Sequence, residues 1–310
     1  MNVVLFGGSG FIGSAVAAQL AAQGHVVTVP TRVEARARHL SVLPTVSTVE
    51  CNIADPAALA RLLEGADAVV NLVGILHGDF ESAHVRLPEQ IAMAAAAARV
   101  SRMVQMSALA ASITGPSAYL QSRERGEAAV ARVAAAHPGL SVTILQPSVV
   151  FGEGDKFLNM FAALAKVAPV IPLGSPSALF QPVWVGDVAR AVRISIENPA
   201  CAGRTYPLAG PRVYTLRELV ELAMTLSGHR RPIIGLPPAL TLLQAWVFEH
   251  LPGRLITRDN VRSMQVPNTS PEPFPAVFGS AHALEPIAAS YLCDAQLRDG
   301  YAGLRQLAGR

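Results

Sequence analysis

Short β-branched runs alternate with Ala- and Leu-rich stretches of helical length through the first half of the chain. Asn2-Val3-Val4-Leu5-Phe6 is the first run, and Ser14 to Gln23 is the first helical stretch. Strand patterns recur at His25–Val29, Val46–Glu50, Ala68–Val73, Arg102–Met106 and Ser141–Gln146. Helical patterns fall between them, at Arg32–Leu40, Pro56–Glu64, Glu81–Arg99 and Ser117–Ala136, with Asp55 as an N-cap and Pro56 at the first helical position. This alternation predicts an α/β protein with a doubly wound parallel sheet covered on both faces. Right-handed crossovers then put a ligand above the carboxyl ends of strands one and four. From Pro147 onward Pro- and Gly-rich loops separate shorter elements, including helices at Leu216–Leu226 and Ala239–His250. The expected division is a sheet domain over residues 1–150 and a smaller mixed lobe over 151–310, interleaved with the last sheet strands. Asp187 reads as the N-cap of a helix over Val188–Ile196, and Pro267–Pro275 as an irregular loop.

The junction between the first strand and first helix carries candidate chemistry. It reads Gly7-Gly8-Ser9-Gly10-Phe11-Ile12-Gly13, a turn that aims main-chain N–H groups and a helix dipole at one point, as a diphosphate requires. Gly7 permits the tight turn, Gly10 lets the backbone approach the anion, and Gly13 lets helix and strand pack closely. With a strand before it and a helix after it, the pattern predicts a Rossmann dinucleotide site. At the end of strand two, where an acidic residue would hold an NAD ribose, stand Thr31 and Arg32. A guanidinium clamps a 2′-phosphate that a carboxylate would repel, so NADP(H) is favoured, with NAD(H) left open. Arg36 and Arg38 read as a solvated helix face. Asn52, with Ile53, follows strand three near the adenine position or else serves as a turn residue. Asn71, Leu72, Val73 and Gly74 follow strand four along the cofactor edge.

Composition narrows the alternatives. The 310 residues carry a net charge of +3 with no basic tract, and aromatics are only 5%, which argues against a nucleic-acid partner. The 3 cysteines (Cys51, Cys201, Cys293) lie far apart, so neither a disulfide framework nor a metal site is expected. The run Ile91–Ala98 is far short of a membrane span. Met1 abuts the first strand and leaves no room for a signal peptide, so a cytoplasmic location is expected.

The glycine turn, Asn71-Leu72-Val73-Gly74, Met106-Ser107-Ala108, Tyr119 to Arg123 and Gln146-Pro147-Ser148-Val149-Val150-Phe151-Gly152 occur in the order of the extended short-chain dehydrogenase/reductase superfamily. Together with Phe180-Gln181-Pro182-Val183-Trp184-Val185-Gly186-Asp187, the chain resembles an atypical epimerase/dehydratase-like branch. That branch holds the NADPH-binding accessory subunit of respiratory complex I and its bacterial relatives. The resemblance implies that Pro147, Ser148 and Val149 border the cofactor. It also implies a Tyr phenolate as acid/base, a Lys four residues on, and a Ser or Thr on the substrate oxygen. Tyr119 matches the tyrosine, Arg123 replaces the lysine, and Ala108 takes the hydroxyl position beside Ser107. Ser112, Thr114 and Ser117 are possible stand-ins. Arginine keeps the charge and a ribose contact but cannot relay a proton.

Intact cofactor features beside an altered catalytic trio imply an NADP(H)-binding protein with weak or no turnover. Its role would be accessory or sensing, linked to complex I and peripheral to the inner membrane. The alternative is an active oxidoreductase or epimerase/dehydratase that uses Tyr119 on a small carbonyl or nucleotide-linked substrate. His77 and His84 read as surface or satisfied core residues, and Glu81, Glu124 and Glu127 as helix-face charges, with the resemblance offering Glu127 a role in the family's fold as an alternative. The apolar stripe of the Ala239–Leu251 segment reads as a lobe core helix, or else as a face that docks on a protein partner or membrane edge. The sequence does not bear on oligomeric state.

Overall fold

A computed structural model of the chain describes residues 1–250 and 256–293. Its central sheet joins β1 (Asn2–Phe6), β2 (Val26–Thr31), β3 (Val46–Glu50), β4 (Ala68–Asn71), β5 (Arg102–Met106), β6 (Ser141–Pro147) and β11 (Thr205–Leu208). The spatial order is β11-β6-β5-β4-β1-β2-β3, with every pairing parallel. The reversal of direction at β1 and β4 is the switch point at which such sheets bind ligands. The helices α1 (Phe11–Ala22), α2 (Pro56–Leu63), α3 (Leu87–Ala97) and α4 (Ala118–Ala136) connect these strands.

Period-two alternation along β1 sorts its side chains between two cores. Val3 and Leu5 pack with Val16 and Leu20 of α1, and with Val188 and Val192 of α6 (Val185–Glu197). Val4 and Phe6 face Leu59 and Leu63 of α2, Ile91 of α3 and Val130 of α4. A third core is built from residues after position 150. Phe151 of β7 (Val150–Phe151) and Leu158 and Phe161 of α5 (Phe157–Val167) meet Leu219 and Val220 of α7 (Leu216–Leu226) there. Short strand pairs frame it: β8 (Ile171–Gly174) with β13 (Ile233–Leu236), β9 (Leu179–Phe180) with β12 (Tyr214–Thr215), and β10 (Val183–Trp184) with β7. The helices α8 (Pro238–His250) and α9 (Arg258–Ser263) follow.

Three details differ from the sequence reading. The segment after β2 is a 3-10 helix over Glu34–Leu40, which leaves Arg32 outside it. The expected long helix Glu81–Arg99 is a π-helical turn, Ser82–Arg86, followed by α3. Pro88 lacks the N–H that would bond the His84 carbonyl in an α-helix, and that carbonyl instead lies against Gly126 of α4. Asp187 is not an N-cap, because α6 begins at Val185 with Trp184 in the cap position. The fully buried Asp187 carboxylate instead accepts from the His282 N–H and Nδ1, both at 2.7 Å, and pairs with Arg190 at 2.7 Å. The loop 267–275 is irregular, as expected, and is tied to the fold at Asn268, which exchanges main-chain bonds with Leu179 and Gln181.

Candidate functional site

The Gly7–Gly13 turn has the geometry of an anion cradle. Gly10 N–H bonds Gly7 O at 3.1 Å, and the first helical bond runs from Ser14 N–H to Gly10 O at 2.8 Å. The N–H groups of Phe11, Ile12 and Gly13 open α1 and have no carbonyl a turn earlier to bond. No acidic residue occupies that first turn, and the Gly10 cap offers no side chain. Two glycines here are sterically required. Gly7 has φ +77°, and a Cβ at Gly13 would come within 2.2 Å of Gly7 O and 2.5 Å of Gly8 Cα.

Beside this turn β2 ends in Thr31, which is buried and folds its hydroxyl back to Val33 O at 3.0 Å. Arg32 is exposed and makes no hydrogen bond or ion pair among the described residues. Its guanidinium is therefore available to a phosphate. Asn52 Oδ1 accepts from Ala54 N–H at 3.1 Å, the turn role that was the alternative for this residue. Ile53 packs against the core over Val4 and Phe6. Beyond β4, Leu72 N–H bonds Phe6 O, and Val73 N–H bonds Asn71 Oδ1, whose amide group reaches Gln105 at 2.9 Å. The strand ends that border the cleft are thus held by buried polar contacts.

Tyr119 and Arg123 lie one turn apart on α4, and the arginine is nearly fully buried. The Arg123 guanidinium lies 5.2 Å from the Tyr119 ring centroid and donates to Met106 O at 3.2 Å. It fills the slot left by Gly74, where a Cβ would stand 2.2 Å from Nη2. Its Nε is buried with no partner among the described residues. The Tyr119 hydroxyl also makes no hydrogen bond among the described residues. Ala108 is buried and supplies no donor. The buried Ser107 hydroxyl turns toward Glu127 without closing a well-formed hydrogen bond. Burial pushes the Glu127 carboxyl above the usual glutamate range, against the pull of Ser107 and of the Gln146 amide at 2.9 Å. Of the stand-in hydroxyls, Ser117 caps α4 at Leu120 N–H and accepts from Ser263, while Ser112 and Thr114 pair with each other.

His84 is the unforeseen hub of this region. Ile75 N–H donates to its Nε2 at 3.0 Å, so that nitrogen carries a lone pair and the proton lies on Nδ1. Nδ1 bonds Ser122 Oγ at 2.9 Å, and that hydroxyl donates to Tyr119 O at 2.7 Å. Burial first, and the nearby Arg123 charge second, hold the His84 pKa down at about 3. Phe80 stacks on the ring at 5.4 Å and meets the edge of Tyr119 at 6.0 Å. His84 is thus a satisfied core histidine, and His77 is exposed.

Two residues missed in the sequence tie the later segments to the site. Asp259 of α9 accepts from Ala118 and Tyr119 N–H at 2.9 and 3.0 Å. Asn268 Oδ1 accepts from Ser148 Oγ at 2.6 Å and Val149 N–H at 3.0 Å, so these two groups are already engaged. Pro147 is buried and bonds Leu109 N–H through its carbonyl. Both missed contacts span more than a hundred residues, and only the acidic residue at the start of α9 gave a local signal. A cleft of about 370 Å³ is lined by Leu76, His77 and Phe80 together with Glu249, Arg258 and Asp259.

A doubly wound parallel sheet with a glycine turn at its switch point defines a Rossmann nucleotide-binding fold. More narrowly, residues 3–209 match the model of the NAD dependent epimerase/dehydratase family, and the chain belongs to that family. It is 32% identical over 244 residues to NADH dehydrogenase [ubiquinone] 1 alpha subcomplex subunit 9, mitochondrial, of Arabidopsis thaliana, covering 75% of this chain. The match spans 60% of the Arabidopsis protein's length. A ceramide reductase of Caulobacter vibrioides is 29% identical over 256 residues, 79% of this chain and 78% of that protein. Among solved structures, MoeE5 in complex with UDP-glucose and NAD superposes with a TM-score of 0.73 at 18% identity, over 97% of this chain and 100% of that one. Among the described residues no helix is long and apolar enough to cross a membrane, and no His/Cys/Asp/Glu group suited to a metal occurs.

Proposed function

We propose that this protein binds NADP(H) and acts as an accessory or sensing subunit with weak or no turnover, at a membrane edge beside a respiratory NADH dehydrogenase. The amides of Phe11, Ile12 and Gly13 hold the diphosphate, and Arg32 holds the 2′-phosphate. The bound dinucleotide would bring a hydride donor, and the residues around it decide whether that donor is used. Arg123 is the observation that carries the reading. Its guanidinium is wedged between Gly74, Met106 O and the Tyr119 ring, where it can orient a ribose hydroxyl but not pass a proton. Ala108 leaves a substrate oxygen without its donor. The Arabidopsis relative, named as a subunit of NADH dehydrogenase, supports the accessory role.

Active reduction is the second reading, favoured by the unengaged Tyr119 hydroxyl and the Caulobacter relative named as a reductase. Energy transfer from tryptophan to NADPH measures binding, and nicotinamide absorbance across a panel of carbonyl compounds measures turnover. Stoichiometric binding without turnover is expected. Turnover that collapses in Tyr119→Phe would replace the accessory reading with the reductase one. Arg123→Lys separates the two further, since a gain of activity would trace the loss to that residue.

A further inference from the structure

The helix α8 is packed the wrong way round for a core element. The residues that it buries are small: Thr241 and Ala245, one turn apart. Its large apolar side chains point outward, with Leu240 49%, Leu242 40%, Leu243 54%, Trp246 48% and Val247 43% exposed. The inward face fits closely because β8 ends in Gly174, where a Cβ would meet Thr241 Cγ2 at 2.4 Å. Gln244, the helix's polar residue between Thr241 and Glu249, turns to Pro172 O at 3.0 Å. No charged residue occurs from Pro232 to Phe248. The outward face therefore offers a broad apolar surface with almost nothing to hydrogen-bond.

We infer that this face of α8 docks on an anionic lipid surface. A protein partner is the poorer fit, because protein interfaces pair polar groups about every 100–200 Å² and the one such group among these exposed side chains is the Trp246 indole N–H. A bilayer interface asks only for burial of Leu and Val and for an aromatic residue at headgroup level, which Trp246 supplies. The charge pattern agrees. Arg230, which is exposed, precedes β13 at the end of the β8–β13 pair over which the second half of α8 lies, while its neighbour Arg231 is turned to Ala165 O at 2.9 Å. Basic residues at the rim of an apolar face attract acidic headgroups. The inference deepens the accessory reading, from which it takes its membrane setting. It also places the mouth of the 370 Å³ cleft, which α8 borders through Glu249 and His250, beside the lipid.

Vesicle binding tests this directly. The full chain is mixed with phosphatidylcholine vesicles with and without phosphatidylglycerol, and the bound fraction is measured by flotation. Binding to the anionic vesicles is expected, with brominated lipid quenching the wild-type emission more than that of Trp246→Phe. Leu243→Glu with Val247→Glu, both on the exposed face, should lower the partition coefficient about tenfold. Arg230→Gln should lower it about fivefold on anionic vesicles only. No wild-type binding, or equal binding by the double variant, overturns the inference. So does a lipid-free dimer that the double variant splits, since the face would then belong to a second copy. NADPH titration of the same samples keeps the two readings apart. A wild type that binds vesicles without binding NADPH defeats the cofactor reading alone, and the reverse result defeats only the docking.

Discussion

The neutral, buried ring of His84 should make the fold lose stability as pH falls below the ordinary histidine range. The ring is 1% exposed, and its Nε2 accepts from Ile75 N–H, which a protonated ring cannot do. Burial, with Arg123 adding repulsion, lowers its pKa from 6.5 to about 3. A depressed histidine pKa means that the folded state favours the neutral form. The stabilisation is therefore fully present above pH 6.5 and is lost as pH falls from there toward 3. Taking those two values, stability lost between about pH 7.5 and about pH 5 comes to about 2 kcal/mol from this residue. Urea unfolding at both pH values measures the loss. His84→Gln keeps an acceptor near Ile75 N–H but does not titrate, so it should be less stable than wild type at neutral pH and show a flatter pH slope. Identical slopes in wild type and variant would refute the assignment of the titration to His84.

Other expectations follow from the same geometry. Gly13→Ala puts a methyl 2.2 Å from a main-chain oxygen that cannot move independently, so a loss of about 3 kcal/mol in chemical denaturation and no measurable NADPH binding are expected. Arg32→Ala removes an exposed side chain, which should leave the melting temperature unchanged and weaken NADPH at least tenfold relative to NADH, about 1.5–3 kcal/mol; calorimetric titration of both dinucleotides reads the difference. Asp187→Ala removes the carboxylate from His282 and from Arg190, which keeps its bonds to Phe278 O and Ser280 O, and should cost about 3 kcal/mol by denaturant unfolding, with partial recovery in Asp187→Asn.

Local signals were read well and distant ones were not. The glycine turn and the alternation of strands and helices through the first half depend on residues a few positions apart, and each lies where the pattern put it. The π-helical turn also had a local cause in Pro88, which the helical reading of Glu81–Arg99 passed over. Asp187 is different. An acidic residue near a helix start looks like a cap, and its true partner His282 lies 95 residues later. The Ile75–His84–Ser122 chain joins three segments that have nothing in common in sequence. For α8 the apolar stripe was visible, but its direction was not. A stripe of Leu, Trp and Val normally faces in, and only contact with Gly174 shows that the small residues do so here.

The position of Arg123 explains why cofactor features and catalytic features can part company in one site. A lysine at this place would reach past Gly74 with a flexible amine, whereas the guanidinium spans from Met106 O to the Tyr119 ring and fills the glycine slot. That wedge braces the strand ends and α4 against each other. His84 braces the same two parts from the other side, through Ile75 N–H and through Ser122 to Tyr119 O. A charge buried for bracing is held by its contacts, so it is poorly suited to following a substrate through proton transfer. In the proposed reading, dinucleotide binding would ask nothing of that kind, since it would use amides that α1 presents in any case and an arginine at the surface.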